Sequence, residues 1–440
     1  MFRKTNFKII AAVLAVLLLI SSVFAVSVSA DDKLYCGDLE YKVEDGYVII
    51  TGISKYASGE IQIPATIDEC PVVEIGNGAF WDCDTMTSVV IPDSVKVISE
   101  DAFRECDGLT NLEIPDSVVL INKYDSLAAT FGFCKNLKTV VLGDGIQTLP
   151  YNAFIGCTAL ETVEFGANMK STGDNAFTDC TLLKEVKLNE GLETISGSAF
   201  LGCESLTELV LPDSVKTIEG YAFSGCDGLV TFDFNKVENI GVCAFGECAG
   251  LTEVIIPDTV KVVGNPDDVF TAGAFESCNS LTNVAVGGGI ESIPERMFLA
   301  SYKIKNLFID KGVLKLIDEY AFGSYDNIEN VYFSGTEEEW NQIEIMPNNE
   351  ALLGANIVFE TEFTGTFPKG ILGDADNNGS ITIKDATSIQ KYVAKLIAVD
   401  EEALKAADVN SDGKVNVKDA TAIQKYLAKI DTGLAIGGMI

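Results

Sequence analysis

The sequence predicts a β-rich solenoid, a parallel β stack with short helical or irregular return segments, followed by a small all-α domain. Two observations lead to this prediction. An Ala-Phe-x-x-Cys motif recurs about every 23 residues through the middle of the chain, and an acidic twelve-residue loop that opens a helical pattern occurs twice near its end. A repeat unit of that length is too small to bury an apolar face alone, so neighbouring units must stack.

The charge balance restricts the possible functions. The 440 residues include 65 Asp and Glu against 31 Lys and Arg, a net charge of −34, and no His. An acidic surface repels nucleic acid and anionic lipid, so neither is an expected partner. The lack of His removes His-based triads, Cys–His dyads and His-containing zinc sites. Any catalysis would have to use carboxylates, Tyr, Lys or Cys.

Residues 1–30 have the pattern of a secretory signal peptide. A basic stretch that ends at Lys8 precedes the apolar run Ile9–Ile20, which is too short to span a membrane comfortably, and Ala30 provides a small residue for cleavage. A retained membrane anchor is the alternative. No later stretch is apolar enough to cross a membrane, so we expect an exported protein without membrane insertion after removal of the leader.

Each repeat unit combines a Phe, a Cys three residues later and an alternating apolar pattern. In one unit Phe103 and Cys106 precede the run Leu109–Pro115 (LTNLEIP). Alternation of an inward Leu112 with an outward Glu113 is the period of a strand, and Pro cannot donate to a strand ladder. The pattern predicts one short strand per unit, ended by Pro, with Phe filling the interior between turns. The Phe positions are 80, 103, 131, 154, 177, 200, 223, 245, 275, 298 and 322.

The twelve Cys comprise a regular column and three others. Nine of them follow a repeat Phe by three residues, where a small apolar side chain packs against its counterpart in the next turn. We expect this thiol column to be free and buried, with disulfides between turns as the alternative. Cys36 and Cys70 precede the repeats and are candidates for a disulfide, whereas Cys243 has no obvious partner. The thiol column is Cys83, Cys106, Cys134, Cys157, Cys180, Cys203, Cys226, Cys248 and Cys278.

The repeat resembles the BspA-like leucine-rich repeats of bacterial surface proteins. The pattern Ile-x-x-x-Ala-Phe-x-x-Cys-x-x-Leu-x-x-Val-x-Ile-Pro recurs over roughly residues 75–334. The resemblance implies a leucine-rich-repeat solenoid of about 11 units at 79–334, an N-terminal cap at 31–78 and a C-terminal cap at 335–360. It also implies adhesion or protein binding, in some members as an accessory to enzymes, and no chemistry of its own.

Carboxylates on the strand face leave a polysaccharide-degrading enzyme as an alternative. Glu185 and Glu208 occupy equivalent positions in adjacent units, and turns about 4.8 Å apart would bring them near the carboxylate separation of retaining glycosidases. A flat, solvated strand face neither encloses a sugar nor raises the pKa of a carboxyl group. We therefore predict no catalytic residues. A free adhesin is the third possibility.

Two twelve-residue loops near the end of the chain have the ligand spacing of calcium sites. Oxygen-bearing side chains stand at positions 1, 3, 5, 9 and 12, Gly stands at position 6, and the backbone carbonyl of position 7 completes the shell. The two copies are 34 residues apart, so we predict two Ca²⁺ ions. The predicted ligands are Asp374, Asp376, Asn378, Ser380, Thr382 and Asp385 in the first loop, and Asp408, Asn410, Asp412, Lys414, Asn416 and Asp419 in the second.

The helices that follow these loops are near copies of each other. Residues 385–395 and 419–429 match at nine of eleven positions. Neither loop has a convincing helix leading into it, and position 12 is Asp where an EF-hand has Glu. Apolar stripes at helical spacing predict that the two helices face one another across a pseudo-twofold axis. The stripes are Ile383, Ala386, Ile389 and Val393 in the first helix, and Val417, Ala420, Ile423 and Leu427 in the second.

This duplicated pattern resembles a type I dockerin over residues 373–430, after a linker at 361–372 and before a tail at 431–440. The resemblance implies calcium-dependent folding and docking into a cohesin domain of a cellulosome-type scaffold. It places the partner-facing residues at the end of each loop and on the outer face of each helix, and the near-identity of the halves predicts two binding orientations. Six of the eight are Lys, which favours an acidic cohesin surface. They are Lys384, Thr387, Lys391 and Lys395 in the first half, and Lys418, Thr421, Lys425 and Lys429 in the second.

Taken with the leader, these resemblances predict a secreted, non-catalytic binding protein, extracellular or at the cell surface. A calcium-dependent dockerin–cohesin interaction would anchor it to a cellulosome-type scaffold and so connect it to polysaccharide catabolism. The solenoid would bind a protein or glycan ligand.

Overall fold

The chain divides into two compact units, Met1–Glu362 and Phe363–Ile440. The computed structural model describes residues 34–122, 127–264, 273–323, 328–365, 381–397 and 401–430, with the single residues 375, 432, 434 and 436. The predicted signal peptide lies outside these residues, as do Asp374, Asp376, Asn378 and Ser380 of the first predicted calcium loop. In the described part of the chain, no helix is long and apolar enough to cross a bilayer.

The first unit is the predicted parallel β-solenoid. Its turns contribute longer strands to one side, the long-strand face, and two-residue strands to the other, the short-strand face. The strands are β1 (Leu34–Cys36), β2 (Leu39–Glu44), β3 (Tyr47–Ile53), β4 (Gly59–Gln62), β5 (Thr66–Ile67), β6 (Cys70–Ile75), β7 (Met86–Val90), β8 (Val97–Ile98), β9 (Asn111–Ile114), β10 (Leu120–Ile121), β11 (Thr139–Leu142), β12 (Thr162–Glu164), β13 (Glu185–Lys187), β14 (Thr194–Ile195), β15 (Thr217–Ile218), β16 (Asn239–Ile240), β17 (Glu253–Ile256), β18 (Val262–Val263), β19 (Asn283–Val286), β20 (Ser292–Ile293), β21 (Asn306–Ile309), β22 (Leu316–Ile317), β23 (Asn330–Phe333), β24 (Glu344–Ile345) and β25 (Asn356–Val358).

The long-strand face follows the predicted alternation. In β9, Leu112 and Ile114 are buried, Glu113 is exposed, and the strand ends directly before Pro115. Parallel pairing aligns the buried positions of adjacent turns, with Leu112 opposite Val140 in β11. The inward residues therefore form continuous apolar columns along the stack, which a single turn could not bury.

The short-strand face was not predicted, because the sequence indicated only one strand per unit. Here β14, β15, β16 and β18 pair in parallel, and Thr194 lies opposite Thr217. Two residues are too few to show a strand period in the sequence. These strands depend on the backbone of the neighbouring turn, so a turn-by-turn analysis of side-chain pattern does not detect them.

The long-strand ladder is interrupted between β7 and β9, and again between β13 and β17. In the second interruption, the turns at 206–211 and 229–234 form no strand, although the short-strand face continues past them. Phe232 and Phe234 occupy the inward strand positions here and pack edge-on against Phe245, at centroid distances of 4.7 and 5.3 Å. Other turns carry Val or Leu at the position of Phe232, whereas Phe165 and Phe333 occupy the position of Phe234 in turns that keep their strands. The larger ring of Phe232 therefore accounts for the loss of regular pairing.

The eleven repeat Phe side chains form the predicted interior column. All are fully buried. Consecutive rings stack with centroids 4.9–5.5 Å apart and interplanar angles of 2–20°. This column joins every turn from Phe80 to Phe322 into one core.

The thiol column lies beside the Phe column and is buried, and all twelve Cys are free. From Cys106 to Cys278, each thiol donates to the carbonyl oxygen of the Phe in the preceding turn, at 3.0–3.3 Å. In the next turn Ser301 takes the Cys position, and its hydroxyl donates to the Phe275 carbonyl at 2.9 Å. The column is thus a series of hydrogen-bond donors between turns.

Each end of the solenoid carries a distinct cap. At the N-terminal end, β1, β2 and β3 form an antiparallel sheet that continues into β6 and the short-strand face. Cys36 in β1 and Cys70 in β6 are free, half-buried thiols, and β2 and β3 lie between their strands in the sheet. At the C-terminal end lie two short helices, α1 (Glu337–Trp340) and α2 (Glu350–Leu353). Trp340 packs edge-on against Phe333, at a centroid distance of 5.1 Å.

The second unit contains three described helices, α3 (Ile383–Val393), α4 (Glu401–Ala407) and α5 (Val417–Leu427). The duplicated helices α3 and α5 pack against each other, as predicted. The prediction that no helix leads into the second loop is wrong, since α4 ends directly before Asp408. The run EEALKAA consists of strong helix formers, and its small Ala side chains pack into the core without giving a wide apolar stripe in the sequence.

The apolar stripes of α3 and α5 are narrower than predicted. Ala386, Ile389, Ala420 and Ile423 are buried in the core of this unit. The other four predicted members are exposed, because they lie at the first and last positions of their helices, beyond the contact between them. They are Ile383, Val393, Val417 and Leu427.

Candidate metal centre and docking surface

The second acidic loop begins where α4 ends and is folded by its own side chains. The Asp408 carboxylate accepts hydrogen bonds from the backbone amides of Asp412, at 3.1 Å, and Gly413, at 2.8 Å. Asn410 Oδ1 accepts a second bond from the Asp412 amide, at 3.0 Å. Gly413, at loop position 6, has a φ of +78°, which explains why this position is Gly. The oxygen side chains at positions 1 and 3 therefore turn inward on the same backbone segment.

The last two ligand positions also form the N-terminal cap of the following helix. In α5, the Asn416 side chain accepts from the backbone amide of Lys418, and the Asp419 carboxylate accepts from the amide of Asn416 at 2.8 Å. Thr382 and Asp385 form the equivalent capping box in α3. The S/T/N-x-x-D spacing was visible in the sequence, and it shows that loop closure and helix initiation use the same residues.

Asp419 is the residue that most clearly fits a cation. Its side chain is fully buried, and Oδ1 accepts no hydrogen bond. Burial raises the pKa of this carboxyl above its ordinary value, while the amides of Asn416 and Asn410 oppose the shift. A buried carboxylate oxygen without a partner costs free energy unless a proton or a cation compensates it.

The oxygen donors of the second loop are of the kind that a hard cation prefers. The described residues contain no group of three or more Cys, Asp or Glu side chains close enough together to hold a metal ion. The three loop carboxylates instead accept hydrogen bonds from backbone amides. For example, Asp412 Oδ1 accepts a bond from the Lys414 amide at 3.0 Å. These carboxylate oxygens, the free Oδ1 of Asp419 and the amide oxygen of Asn410 are chemically suited to calcium, but the carboxylates are not gathered around one point in the described residues. Of the first loop, only Thr382 and Asp385 are described.

The eight predicted partner-facing residues are all exposed. Six of them lie on equivalent faces of α3 and α5, whereas Lys395 and Lys429 follow the ends of these helices, with φ of +57° and +56°. Projection at 100° per residue also puts an apolar side chain on each face: Ile383, 58% exposed, and Val417, 56% exposed. The sequence analysis had assigned both to the core. We call Ile383, Lys384, Thr387, Lys391 and Lys395 the first face, and Val417, Lys418, Thr421, Lys425 and Lys429 the second face.

The Lys residues of the two faces differ electrostatically from those of the solenoid. In the described part of the chain, none of the six forms an ion pair. Many solenoid Lys side chains are paired with an acidic residue in a neighbouring turn or in the C-terminal cap. These pairs are Lys135–Asp107, Lys170–Glu193, Lys184–Glu161, Lys187–Glu164, Lys216–Glu238, Lys305–Glu329, Lys311–Glu339 and Lys315–Glu291.

A shallow groove runs along the second face. Its wall includes Thr432 and Leu434 from the tail, which the sequence analysis had not assigned to any site. The lining residues are Asn410, Val417, Lys418, Thr421, Ala422, Lys425, Thr432 and Leu434.

The two carboxylates considered for catalysis are not enclosed. Glu185 is exposed in β13 and lies 3.8 Å from the ammonium group of Lys187. Glu208 is exposed in a turn that forms no strand, within the interruption of the long-strand ladder. The structure gives this pair neither a desolvated pocket nor a shared ladder that would fix their separation.

Both units of the chain match known protein families. Residues 73–125, 126–230 and 238–344 match the BspA type Leucine rich repeat region, in 6 copies, and residues 372–428 match the Dockerin type I domain. Both are non-catalytic module types. Leucine rich repeats are binding modules, and dockerin domains bind calcium and anchor their chains to cohesins. No curated protein matches the chain significantly.

The solved structures that match the chain include bacterial leucine-rich repeat proteins. A leucine rich cell surface protein from Faecalibacterium prausnitzii A2-165 is 23% identical over 72% of this chain and 98% of its own, with a TM-score of 0.43. A leucine-rich repeat protein from Bacteroides ovatus ATCC 8483 is 23% identical over 74% of this chain and 90% of its own, with a TM-score of 0.48. The matched repeats span more than half of the sequence, and the chain therefore belongs to the BspA type leucine rich repeat family, with a dockerin type I domain in its C-terminal unit.

Proposed function

We propose that this chain is a secreted, non-catalytic binding protein. Its dockerin domain docks into a cohesin of a cellulosome-type scaffold in the presence of calcium, and its solenoid presents a surface that binds a protein or glycan. The observation that carries the proposal is the pair of exposed Lys-rich faces, whose cations form no ion pair within the described residues. On a chain with a net charge of −34, such unpaired cations favour a partner with an acidic surface.

Calcium would act by assembling the docking faces. The proposed ligands in the second loop are the side chains of Asp408, Asn410, Asp412, Asn416 and Asp419 and the carbonyl of Lys414, and the first loop would hold a second ion in the same way. Because Thr382, Asp385, Asn416 and Asp419 also cap α3 and α5, an ion that removes the repulsion among the loop carboxylates and holds the cap residues in place would stabilise the start of each helix, where Lys384 and Lys418 stand. This coupling would make docking dependent on calcium.

The solenoid contributes binding surface without chemistry in this proposal. Glu185 and Glu208 are exposed on an open face, and the burial needed to tune a general acid is absent there. The acidic surface disfavours nucleic acid and anionic lipid as ligands of the solenoid. Residues 1–30, if they act as the predicted leader, would deliver the chain outside the cell.

Binding of the full chain to immobilised cohesin domains from the same genome, with calcium or with chelator, tests the proposal. We expect binding only with calcium. The double variant Lys384→Glu with Lys418→Glu reverses one charge on each face and should weaken binding about 100-fold, since like charges across an interface cost several kcal/mol. The matched control Lys315→Glu reverses an exposed solenoid Lys and should have no effect. Binding by none of the cohesins would contradict the proposal and favour a free adhesin.

A further inference from the structure

The tail beyond α5 packs against the second face. Ile436 is 7% exposed and belongs to the core that contains Ala386, Ala420 and Ile423. Thr432 and Leu434 precede it and line the groove on α5, and the Leu434 amide donates to Thr432 Oγ1 at 3.2 Å. Burial of Ile436 therefore fixes this part of the tail beside the helix, and the groove has a second wall.

The groove combines an apolar surface with cations and hydroxyl groups. Val417 and Leu434 supply the apolar part, and Ala422, 9% exposed, adds a small side chain to the lining. Lys418 and Lys425 contribute two ammonium groups that form no ion pair with any described residue. Thr421 Oγ1 donates to the Val417 carbonyl at 2.8 Å, which holds this hydroxyl against the helix. Such a groove is suited to an acidic side chain, whose carboxylate meets the cations while its methylene groups contact Val417 and Leu434.

The tail also distinguishes the two halves of the domain. With the 34-residue offset between the halves, the counterparts of Thr432 and Leu434 are Ala398 and Asp400, which lie outside the described residues. The sequence thus has an acidic residue after α3 at the position where the apolar Leu434 follows α5. Although α3 and α5 are near copies, we expect the sequences that follow them to make the two docking faces unequal.

We propose that the tail makes the groove on α5 the receptor for an Asp or Glu side chain of the docked partner, and makes the second face the preferred docking site. This inference rests on the proposed cohesin-binding function and adds which face is used and what it accepts. The two orientations expected from the duplicated helices would then differ in affinity.

Four single variants and one double variant of the full chain, assayed in calcium on the same immobilised cohesins, test the inference. Leu434→Asp, which introduces the residue of the first half, and Lys425→Glu should each weaken binding about tenfold. Lys391→Glu, the equivalent change on the first face, should weaken it about twofold. The double variant of Leu434 and Lys425 should be little weaker than Lys425→Glu alone, because both changes act on one groove. The solenoid variant Lys315→Glu is the control.

Several results would overturn the inference. Equal losses for Lys391→Glu and Lys425→Glu would show that the faces are equivalent, and wild-type affinity in Leu434→Asp would show that the tail takes no part. An unchanged circular dichroism spectrum and calcium uptake of Leu434→Asp would establish that the variant is folded, since Leu434 is at the surface. Failure of the wild-type chain to bind any cohesin would instead contradict the proposed function itself, and the inference with it.

Discussion

At the scale of single residues, the stability of the solenoid depends on the protonation state of the thiol column. Each thiol from Cys106 to Cys278 donates a hydrogen bond to a carbonyl in the preceding turn, and only the protonated form can do so. Burial raises the pKa of Cys203, Cys226 and Cys278 well above the ordinary range, and that of Cys248 to about 12. The sequence predicted buried thiols from their spacing, but it did not reveal the carbonyl acceptors, because these belong to the neighbouring turn.

We predict that the solenoid loses stability steeply at alkaline pH. An unfolded thiol has a pKa of about 8.5, so the stability due to a raised folded pKa is complete below that pH and is lost as the pH rises above it. Above that pH, each such thiol should lower the free energy of unfolding by about 1.4 kcal/mol per pH unit, and we call this dependence the alkaline slope. Urea unfolding in reductant between neutral pH and pH about 10 measures this slope.

The variant Cys203→Ser should reduce that alkaline slope by about 1.4 kcal/mol per pH unit, since a hydroxyl does not titrate in this range. Ser301 already fills the same position in a later turn and donates the same bond, so the substitution is compatible with the stack. An unchanged slope in the variant would mean that the buried thiols do not control the alkaline loss of stability.

At the scale of elements, strand pairing is not uniform along the solenoid. The Phe column is continuous, but the long-strand ladder is missing in the turns at 206–211 and 229–234. Sequence reasoning predicted uniform strands, because the turn at 206–211 carries the full repeat pattern. The next turn differs from the other repeats at Phe232, where they have Val or Leu, and this larger ring accounts for the loss of strand structure. A repeat pattern in the sequence predicts the conformation of a single turn well. It predicts poorly how that turn fits against its neighbours.

Hydrogen exchange should reveal this interruption. The backbone amides of 208–211 and 231–234 lack ladder hydrogen bonds and should exchange much faster than those of β12 and β17, which serve as internal controls. Replacing Phe232 with Val and Phe234 with Ile, which restores the usual repeat residues, should slow exchange at these amides. Mass spectrometry of the full chain measures both effects. Equal protection in all four segments would contradict the assignment of this region as the weaker part of the stack.

At the scale of the whole molecule, sequence and structure agree on the division into a repeat solenoid and a helical unit. Periodicity indicated the solenoid because each turn repeats the same inward residues, and the duplicated loops indicated the second unit because ligand spacing depends on local backbone alone. The tail residues Thr432 and Leu434 were not identified as part of the groove, since their position depends on Ile436 reaching the core. In the sequence, this contact is indicated by one apolar residue alone, and a single residue forms no pattern from which the contact could be predicted.

Calcium should stabilise the helical unit and leave the solenoid unchanged. Every proposed ligand belongs to Phe363–Ile440, whereas the two Trp, Trp81 and Trp340, belong to the solenoid unit. In urea unfolding, Trp fluorescence therefore reports the solenoid alone, and circular dichroism at helical wavelengths also detects the second unit. Free calcium at about 100 times its dissociation constant should raise the stability of the helical unit by about 2.7 kcal/mol for each ion bound.

The variant Asp412→Ala removes one proposed ligand and should lose much of this calcium stabilisation, since the loop then has fewer charged donors. Within the described residues its carboxylate accepts a bond from the Lys414 amide alone, so the loss of that bond should cost about 1 kcal/mol in the absence of calcium. Glu113→Ala, an exposed carboxylate in β9, is the matched control and should keep the full response. If calcium shifted the Trp transition as strongly as the helical one, stabilisation would extend through both units, and the separation of a calcium-dependent docking unit from a calcium-independent binding solenoid would be wrong.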